Sequence, residues 1–251
     1  MRTLALTVPR RSREALGDEC QDAATAWSAG GRAVLVVADG VGSVKHSEIG
    51  ARLATRVMAE HLAGVDRPAA VPRALTAGRK RWLDELARTG APVDSVKTTL
   101  GFAIAKPPSY VIVGAVGDCF AFVTRTAEEP SAALVMDQGR APGTPANEGV
   151  PTLGHDAWID HLRWCTIYDP TIDGVGLSSD GLEPVTIDER PVENEHGRHV
   201  RQVTVAVELV TWLVDQARRE KPAAAAAAEL ASWDELMTRT DDDLGVALAT
   251  W

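Results

Sequence analysis

The residues of this chain best suited to chemistry are four aspartates, each beside a hydrophobic or strand-like run. Asp39 follows residues 34–38, Asp118 follows 111–117, Asp180 follows 174–179, and Asp242 precedes 244–248. Carboxylates gathered at one end of a sheet would repel one another, and burying an unpaired one costs several kcal/mol. Hard divalent cations such as Mg²⁺ or Mn²⁺ remove that cost and take oxygen ligands. The pattern therefore predicts a metal site.

The composition is that of a folded globular protein. The chain has 251 residues, of which 45% are hydrophobic and 24% are charged, so it is long enough to bury a core as one domain spanning residues 1–251. The net charge of −9 argues against nucleic acid as a partner. An acidic protein attracts phosphate poorly by its overall field, so any phosphate recognition must be local.

Three features of the sequence indicate a cytoplasmic protein. The three cysteines, Cys20, Cys119 and Cys165, are an odd number without clustered spacing, which favours a reducing compartment over a disulfide framework. The N-terminal residues become polar too soon for a signal peptide. No apolar stretch approaches the roughly 20 residues of a membrane span, so we expect no membrane partner.

The order of the predicted elements favours an α+β fold. Apolar patterning predicts strands over residues 3–8, 20–27, 33–38, 98–105, 110–116, 120–125, 161–167, 174–178 and 244–250. It predicts helices over residues 47–62, 70–88, 200–219 and 222–233, with Ser47 capping the first, and loops over 137–157 and 183–198. Because the strands occur in blocks separated by helix pairs, we expect layered helices and sheets.

The aspartates belong to motifs whose order is similar to that of a known family. The motifs are Cys20-Gln21-Asp22, Asp39-Gly40, Thr98-Thr99, Gly117-Asp118, Ser179-Asp180-Gly181 and the run Asp241-Asp242-Asp243. Together they resemble the metal-dependent serine/threonine protein phosphatases (PPM, or type 2C), and their wording is closest to the bacterial branch. The resemblance covers nearly the whole chain.

The resemblance implies an architecture and a cofactor. The fold would be a four-layer α-β-β-α sandwich, in which two antiparallel β-sheets are flanked by helices and the metals lie at one end. The chain would hold two Mn²⁺ or Mg²⁺ ions, with Asp118 holding a weaker third.

The resemblance also implies a role for the other acidic residues. Asp39 would bridge the two metals, and the carbonyl of Gly40 would help to hold the second. Asp180 and Asp242 would complete the ligands of the first metal. Asp22 would join Asp39 in catalysis, either by orienting the attacking water or by binding near the second metal.

The assignment within the terminal acidic run depends on the register of the last strand. Aligning that strand places Asp243 where the family has an asparagine, and this makes Asp242 the ligand. A slip of one residue would give the role to Asp241 or Asp243 instead.

Other positions depart from the family pattern around the substrate. Gly17 stands where the family usually has an arginine that grips the substrate phosphate, so Lys45 and His46 are the candidate phosphate-binding residues. Val41 replaces a histidine that eukaryotic members often carry, and Gln21 replaces a glutamate. These departures leave all of the predicted metal ligands in place and affect substrate binding.

The resemblance implies a protein serine/threonine phosphatase that hydrolyses phosphoserine and phosphothreonine by in-line attack of a metal-bridging hydroxide. Its partners would be phosphorylated proteins, in particular a serine/threonine kinase or the targets of that kinase. The different-class alternative is a catalytically weak or inactive phosphatase-like module that binds phosphoproteins or scaffolds a kinase. Hydrolysis of a small phosphorylated metabolite is a third reading.

Overall fold

The computed structural model of the chain describes residues 1–12, 19–125, 131–136, 150–193 and 199–251, with only the backbone described over 185–193 and 199–204. The strands are β1 Arg2–Val8, β2 Ala23–Ala29, β3 Arg32–Ala38, β4 Leu100–Lys106, β5 Tyr110–Val116, β6 Phe120–Arg125, β7 Ser131–Met136, β8 Arg163–Ile167, β9 Gly174–Ser178, β10 Ile187–Glu193, β11 His199–Val205 and β12 Leu244–Thr250. The helices are α1 Ser47–Ala63, α2 Val71–Thr89, α3 Glu183–Thr186, α4 Val207–Arg218, α5 Ala223–Ala231 and α6 Asp234–Arg239.

The strands form two five-stranded sheets in which all neighbours run antiparallel. The first, sheet A, has the order β1-β12-β9-β6-β7, and the second, sheet B, has the order β2-β3-β4-β5-β8. Strands β10 and β11 form a separate antiparallel hairpin. The last strand of the chain therefore lies inside sheet A, between the first strand and β9.

Three apolar cores hold the layers together. Helices α1 and α2 pack on the outer face of sheet B, and helices α4 to α6 pack on the outer face of sheet A. The third core lies between the two sheets. Strand β3 shows why: Val34 and Val36 face the helices while Leu35 and Val37 face the other sheet, as the two-residue period of a strand requires. This confirms the predicted four-layer sandwich.

The first helix begins differently from its prediction. The N-cap position belongs to His46, which has a left-handed backbone with φ of 68° and makes no capping hydrogen bond. Ser47, predicted to be the cap, is buried, and its Oγ has no hydrogen-bond partner among the described residues. Of the helices that the structure describes, none has the length and hydropathy needed to cross a bilayer.

Two predictions in the C-terminal half are wrong. The segment 183–198, predicted to be a loop, contains α3 and strand β10 in its described part. The helix predicted over 200–219 begins only at Val207, because the preceding residues His199–Val205 pair with β10 as β11. The three valines of β11 favour a strand. The helix predicted over 222–233 ends at Ala231, and α6 follows it unpredicted. Residues 137–149 of the predicted loop lie outside the described residues.

The α1–α2 layer is joined by a buried hydrogen bond, and this gives a test of the fold. The fully buried indole of Trp82 donates from Nε1 to the carbonyl of Gly50, at 3.0 Å. Trp82→Phe should lower the free energy of unfolding by about 1–3 kcal/mol, because it removes the donor and leaves a void. Trp27→Phe, at an exposed site on β2, is the matched control and should cost much less. Urea denaturation measures both. Equal losses would contradict the packing described for α1 and α2.

Candidate metal centre

Five acidic residues meet at one end of the sandwich because the strands that carry them begin or end there. One carboxylate oxygen each from Asp39, Asp118 and Asp180 can be chosen so that the three lie within 4.8 Å of one another. Asp39 follows β3, Asp118 lies between β5 and β6, and Asp180 opens a 3₁₀ turn after β9. Asp22 precedes β2 and Asp242 precedes β12. Residues separated by most of the chain therefore form one cluster.

Burial and mutual repulsion make the cluster unfavourable without a cation. Burial is the largest cause that raises the pKa of Asp22, and the carboxylates of Asp180, Asp243 and Asp242 raise it further, against a hydrogen bond with Ser179 that lowers it. Burial likewise raises the pKa of Asp39, followed by the effect of Asp22 and the other carboxylates. Both shifts show that the site disfavours negative charge that is not compensated.

The donor set fits a hard divalent cation. Every side chain of the cluster offers carboxylate oxygens, which Mg²⁺ and Mn²⁺ prefer. Asp22 is 5% exposed, and its Oδ2 has no hydrogen-bond partner among the described residues. A buried oxygen of this kind is costly unless an ion or a water satisfies it. The residues present are therefore suited to holding a metal.

The backbone of Asp39 is fixed by two threonines at the start of β4. The N–H of Asp39 donates to Thr99 Oγ1 at 3.1 Å, and its carbonyl accepts from Thr99 N and from Thr98 Oγ1, both at 2.8 Å. Both threonines are buried. The sequence marked this pair as a motif without a role, and the structure shows that it holds the central aspartate in place.

The three terminal aspartates take different positions. Asp243 is 1% exposed, and its two oxygens accept hydrogen bonds from the backbone of Arg10 and Gln21. Asp242 keeps some accessible surface, and its charge raises the pKa of both Asp22 and Asp39. Asp241 is exposed. Asp242 thus lies toward the cluster, as the chosen register requires, while its role as a ligand stays a prediction.

The glycines of the two Asp-Gly steps lie against neighbouring backbone. A Cβ on Gly40 would come within 2.6 Å of the Gln21 carbonyl oxygen. A Cβ on Gly181 would come within 2.0 Å of the Asp243 carbonyl oxygen. Backbone cannot yield at such distances, so any larger residue would push apart the segments that carry the acidic side chains. The part of the Gly40 carbonyl in metal binding stays a prediction.

The predicted phosphate-binding residues lie on the connection between Asp39 and α1. Lys45 and His46 are both exposed, and His46 Nδ1 is 3.7 Å from Glu48. Arg11, which is close to position 17 in the sequence, forms an ion pair with Asp234. Position 17, where the family has its arginine, lies outside the described residues. The structure thus places both exposed side chains on the connection that follows Asp39, and none of the contacts it describes joins them to the acidic cluster.

Comparisons with known proteins agree with the observed fold. A family model described as protein phosphatase 2C matches residues 11–233. A bacterial serine phosphatase has 16% identity and a TM-score of 0.66, covering 100% of this chain and 97% of that one. The Staphylococcus aureus serine/threonine phosphatase Stp1 has 16% identity and a TM-score of 0.60, covering 100% and 95%. The Mycobacterium tuberculosis phosphatase PstP/Ppp has 16% identity and a TM-score of 0.57, covering 99% and 97%. No curated protein sequence matches the chain significantly.

The repulsion within the cluster predicts an unusual stability profile for metal-free protein. The folded state raises the pKa of Asp39, so it binds more protons than the unfolded state above the unfolded pKa of about 3.9. The free energy of unfolding should therefore fall as pH rises from about 4 to the folded pKa, and then level off.

Asp39→Asn removes one of these charges, so in EDTA at pH 7.5 it should raise Tm by a few degrees. The gain should shrink toward pH 4, where Asp39 is protonated in the folded state and about half protonated in the unfolded state. Asp94→Asn, at an exposed site, is the control and should change little. Thermal unfolding followed by circular dichroism measures all three proteins. A lower Tm for Asp39→Asn would contradict the repulsion.

Proposed function

This chain belongs to the protein phosphatase 2C family, and we propose that it is a metal-dependent protein serine/threonine phosphatase. The observation that carries the proposal is the gathering of Asp39, Asp118 and Asp180 within 4.8 Å, at the motifs where the family has its acidic residues. The substrates are phosphoserine and phosphothreonine in partner proteins, and the product is inorganic phosphate.

Two Mn²⁺ or Mg²⁺ ions would be held by Asp39, Asp180 and Asp242 with the carbonyl of Gly40, and Asp118 would hold a weaker third. Bound in pairs, such ions supply Lewis acidity, activate a water as nucleophile near neutral pH and neutralise charge on the attacking and leaving oxygens. Asp39 is the central ligand, and its place is set by the hydrogen bonds that Thr98 and Thr99 make to its backbone.

Asp22 is proposed to act on the attacking water. Its Oδ2 is buried and has no hydrogen-bond partner among the described residues, so this oxygen can accept a proton of the water and orient its lone pair toward phosphorus. The hydrogen bond with Ser179 fixes the carboxylate. This positioning supports direct in-line attack without a phosphoenzyme.

A cysteine nucleophile does not suit this site. Cys119 is the cysteine beside Asp118, and it is fully buried and contacts Thr99 Oγ1 at 3.3 Å. Burial raises the pKa of the Cys119 thiol well above its ordinary value, and the carboxylates of Asp118 and Asp39 raise it further. A thiol in that environment stays protonated and is a weak nucleophile.

Substrate phosphate must be recognised locally because the protein carries a net charge of −9. Lys45 and His46 are the proposed phosphate-binding residues, since both are exposed on the connection that follows Asp39. His46 is also the proposed source of a proton for the leaving serine or threonine, because Val41 stands where a histidine is common. The enzyme would act in the cytoplasm, in signalling by a serine/threonine kinase.

One feature favours a second candidate, a weak or inactive module that binds phosphoproteins. Gly17 stands where the family's phosphate-gripping arginine would be. A binding module has no need for the acidic cluster, which is why hydrolysis is the first proposal. The third candidate is an enzyme that hydrolyses small phosphorylated metabolites. The activity assay compares such substrates with a phosphopeptide.

The first test is hydrolysis of p-nitrophenyl phosphate and of a phosphothreonine peptide, with and without Mn²⁺. We expect release of phosphate that needs Mn²⁺, that is lost by at least about a hundredfold in Asp39→Asn and that persists in Asp94→Asn. Faster turnover of the peptide would favour protein substrates over metabolites. Binding of Mn²⁺ by calorimetry without turnover would support the binding module, and no Mn²⁺ binding would contradict the metal-dependent phosphatase.

The second test concerns the phosphate-binding residues. Lys45→Ala should raise KM for the phosphopeptide by about tenfold, the loss expected when one charge-assisted contact of about 1.4 kcal/mol is removed. Its kcat should change little, because the contact is made equally in the bound substrate and the transition state. Lys80→Ala removes an equally exposed lysine on α2 and is the control. An unchanged KM in Lys45→Ala would remove this residue from the site.

A further inference from the structure

Both carboxylate oxygens of Asp243, a residue near the acidic cluster, accept hydrogen bonds. It lies directly before β12 and is 1% exposed. Its Oδ1 accepts the backbone N–H of Arg10 at 2.8 Å, and its Oδ2 accepts the backbone N–H of Gln21 at 2.7 Å. One carboxylate thereby joins two segments that are 233 and 222 residues away along the chain.

Three contacts of Asp243 reach an acidic residue of the cluster or the residue next to one. Gln21, bound to Oδ2, directly precedes Asp22. The Asp243 carbonyl oxygen lies so close to Gly181, which follows Asp180, that a Cβ there would be 2.0 Å away. The Asp243 N–H donates to Asp242 Oδ1 at 2.8 Å.

The same region of the chain is fixed a second time by β12. Gly245 donates its N–H to Ser179 Oγ at 2.9 Å and accepts from Ser179 N at 3.0 Å. A Cβ on Gly245 would lie 3.3 Å from Asp22 Cβ. The start of β12 is therefore the place where the backbones that carry Asp22, Asp180 and Asp242 meet.

We propose that Asp243 is the positioning residue of the metal centre, which sets the mutual placement of Asp22, Asp180 and Asp242 without touching the metal or the substrate. The inference rests on the proposed function, because it concerns the affinity of that centre for its metals. Positioning groups around metal ligands commonly account for about 10–100-fold in metal affinity.

In this chain the two contacts suit a carboxylate better than an amide, although the family has an asparagine at the aligned position. Both oxygens of Asp243 face N–H donors, and a carboxylate accepts on both. Asparagine has the same shape but carries an NH₂ group in place of one oxygen, so one backbone N–H would face another donor. A buried donor left in that state is costly. Asp243→Asn therefore changes the hydrogen bonding with almost no change in volume.

Loss of charge alone would also weaken metal binding, and two further variants separate the effects. Asp243→Glu keeps the charge but moves the carboxylate by one methylene, so its two oxygens no longer meet both N–H groups. Asp241→Asn removes the charge of an exposed neighbour and keeps the clamp, by which we mean the two hydrogen bonds from the N–H groups of Arg10 and Gln21 to Asp243. A positioning role predicts that Asp243→Asn and Asp243→Glu both weaken Mn²⁺ binding, while Asp241→Asn does not.

The experiment is titration of the full chain with Mn²⁺ by isothermal calorimetry, together with the Mn²⁺ dependence of p-nitrophenyl phosphate hydrolysis. We expect Asp243→Asn and Asp243→Glu to bind Mn²⁺ about 10–100-fold more weakly than wild type. The Mn²⁺ concentration that gives half-maximal hydrolysis should rise by the same factor, and kcat should be largely recovered when Mn²⁺ is saturating. A merely structural role would lower Tm and leave that concentration unchanged.

Two results would overturn the inference: wild-type Mn²⁺ affinity in Asp243→Asn or Asp243→Glu, or an equal loss in Asp241→Asn. If the variants do not fold, amide hydrogen exchange of the wild type decides. Slow exchange at Arg10 and Gln21 supports the clamp, and exchange at the rate of an open loop overturns it. A wild-type chain that binds no Mn²⁺ would instead contradict the proposed function itself, and the inference with it.

Discussion

The rest of this structure depends on one unfavourable interaction, the mutual repulsion of carboxylates that the fold holds together at one end of the sandwich. Burial and neighbouring charge raise the pKa of both Asp22 and Asp39, so their placement costs free energy unless a cation compensates it. The hydrogen bonds of Thr98 and Thr99 hold the backbone of Asp39 in place against that repulsion. Asp243 joins the segments of Arg10 and Gln21 through its own hydrogen bonds, although its charge adds to the repulsion on Asp22. Ligands that are already in place favour cation binding, because less ordering is needed when the ion binds.

The free energy that supports the cluster comes from the three apolar cores. Strands β3 and β12 each bury side chains on both faces, which joins the intersheet core to the cores under the helices. Fully buried strands of this kind are stiff and closely packed, and this keeps the strand ends in register. Asp39 follows β3 by one position and Asp242 precedes β12 by two, so these two rigid strands fix the placement of both residues.

The sequence predicted the parts of the fold that local chemistry determines. The uninterrupted apolar residues of β3 and β12 and the alternating pattern of β1 identify strands by themselves, and the motif aspartates identified the cluster before its geometry was known. The sequence did not reveal what depends on tertiary contacts. Ser47 has the chemistry of a cap, yet packing against Gly40 buries it. Strand β11 was predicted as part of a helix because its partner β10 lies in a segment that was predicted to be a loop. Asp243 was considered as an alternative ligand, and only the contacts with Arg10 and Gln21 show its different position.

The position of β12 inside sheet A has a consequence for how the protein is made. A chain that emerges from the ribosome in N-to-C order can complete sheet B, since β2, β3, β4, β5 and β8 are all synthesised first. In sheet A, however, β1 and β9 must wait for a strand that begins at residue 244. Until then both strands expose unpaired edges, which favours association with other chains. The high contact order of the β1–β12 pair should make its formation a late step of folding, so the acidic cluster is assembled only after β12 has been synthesised.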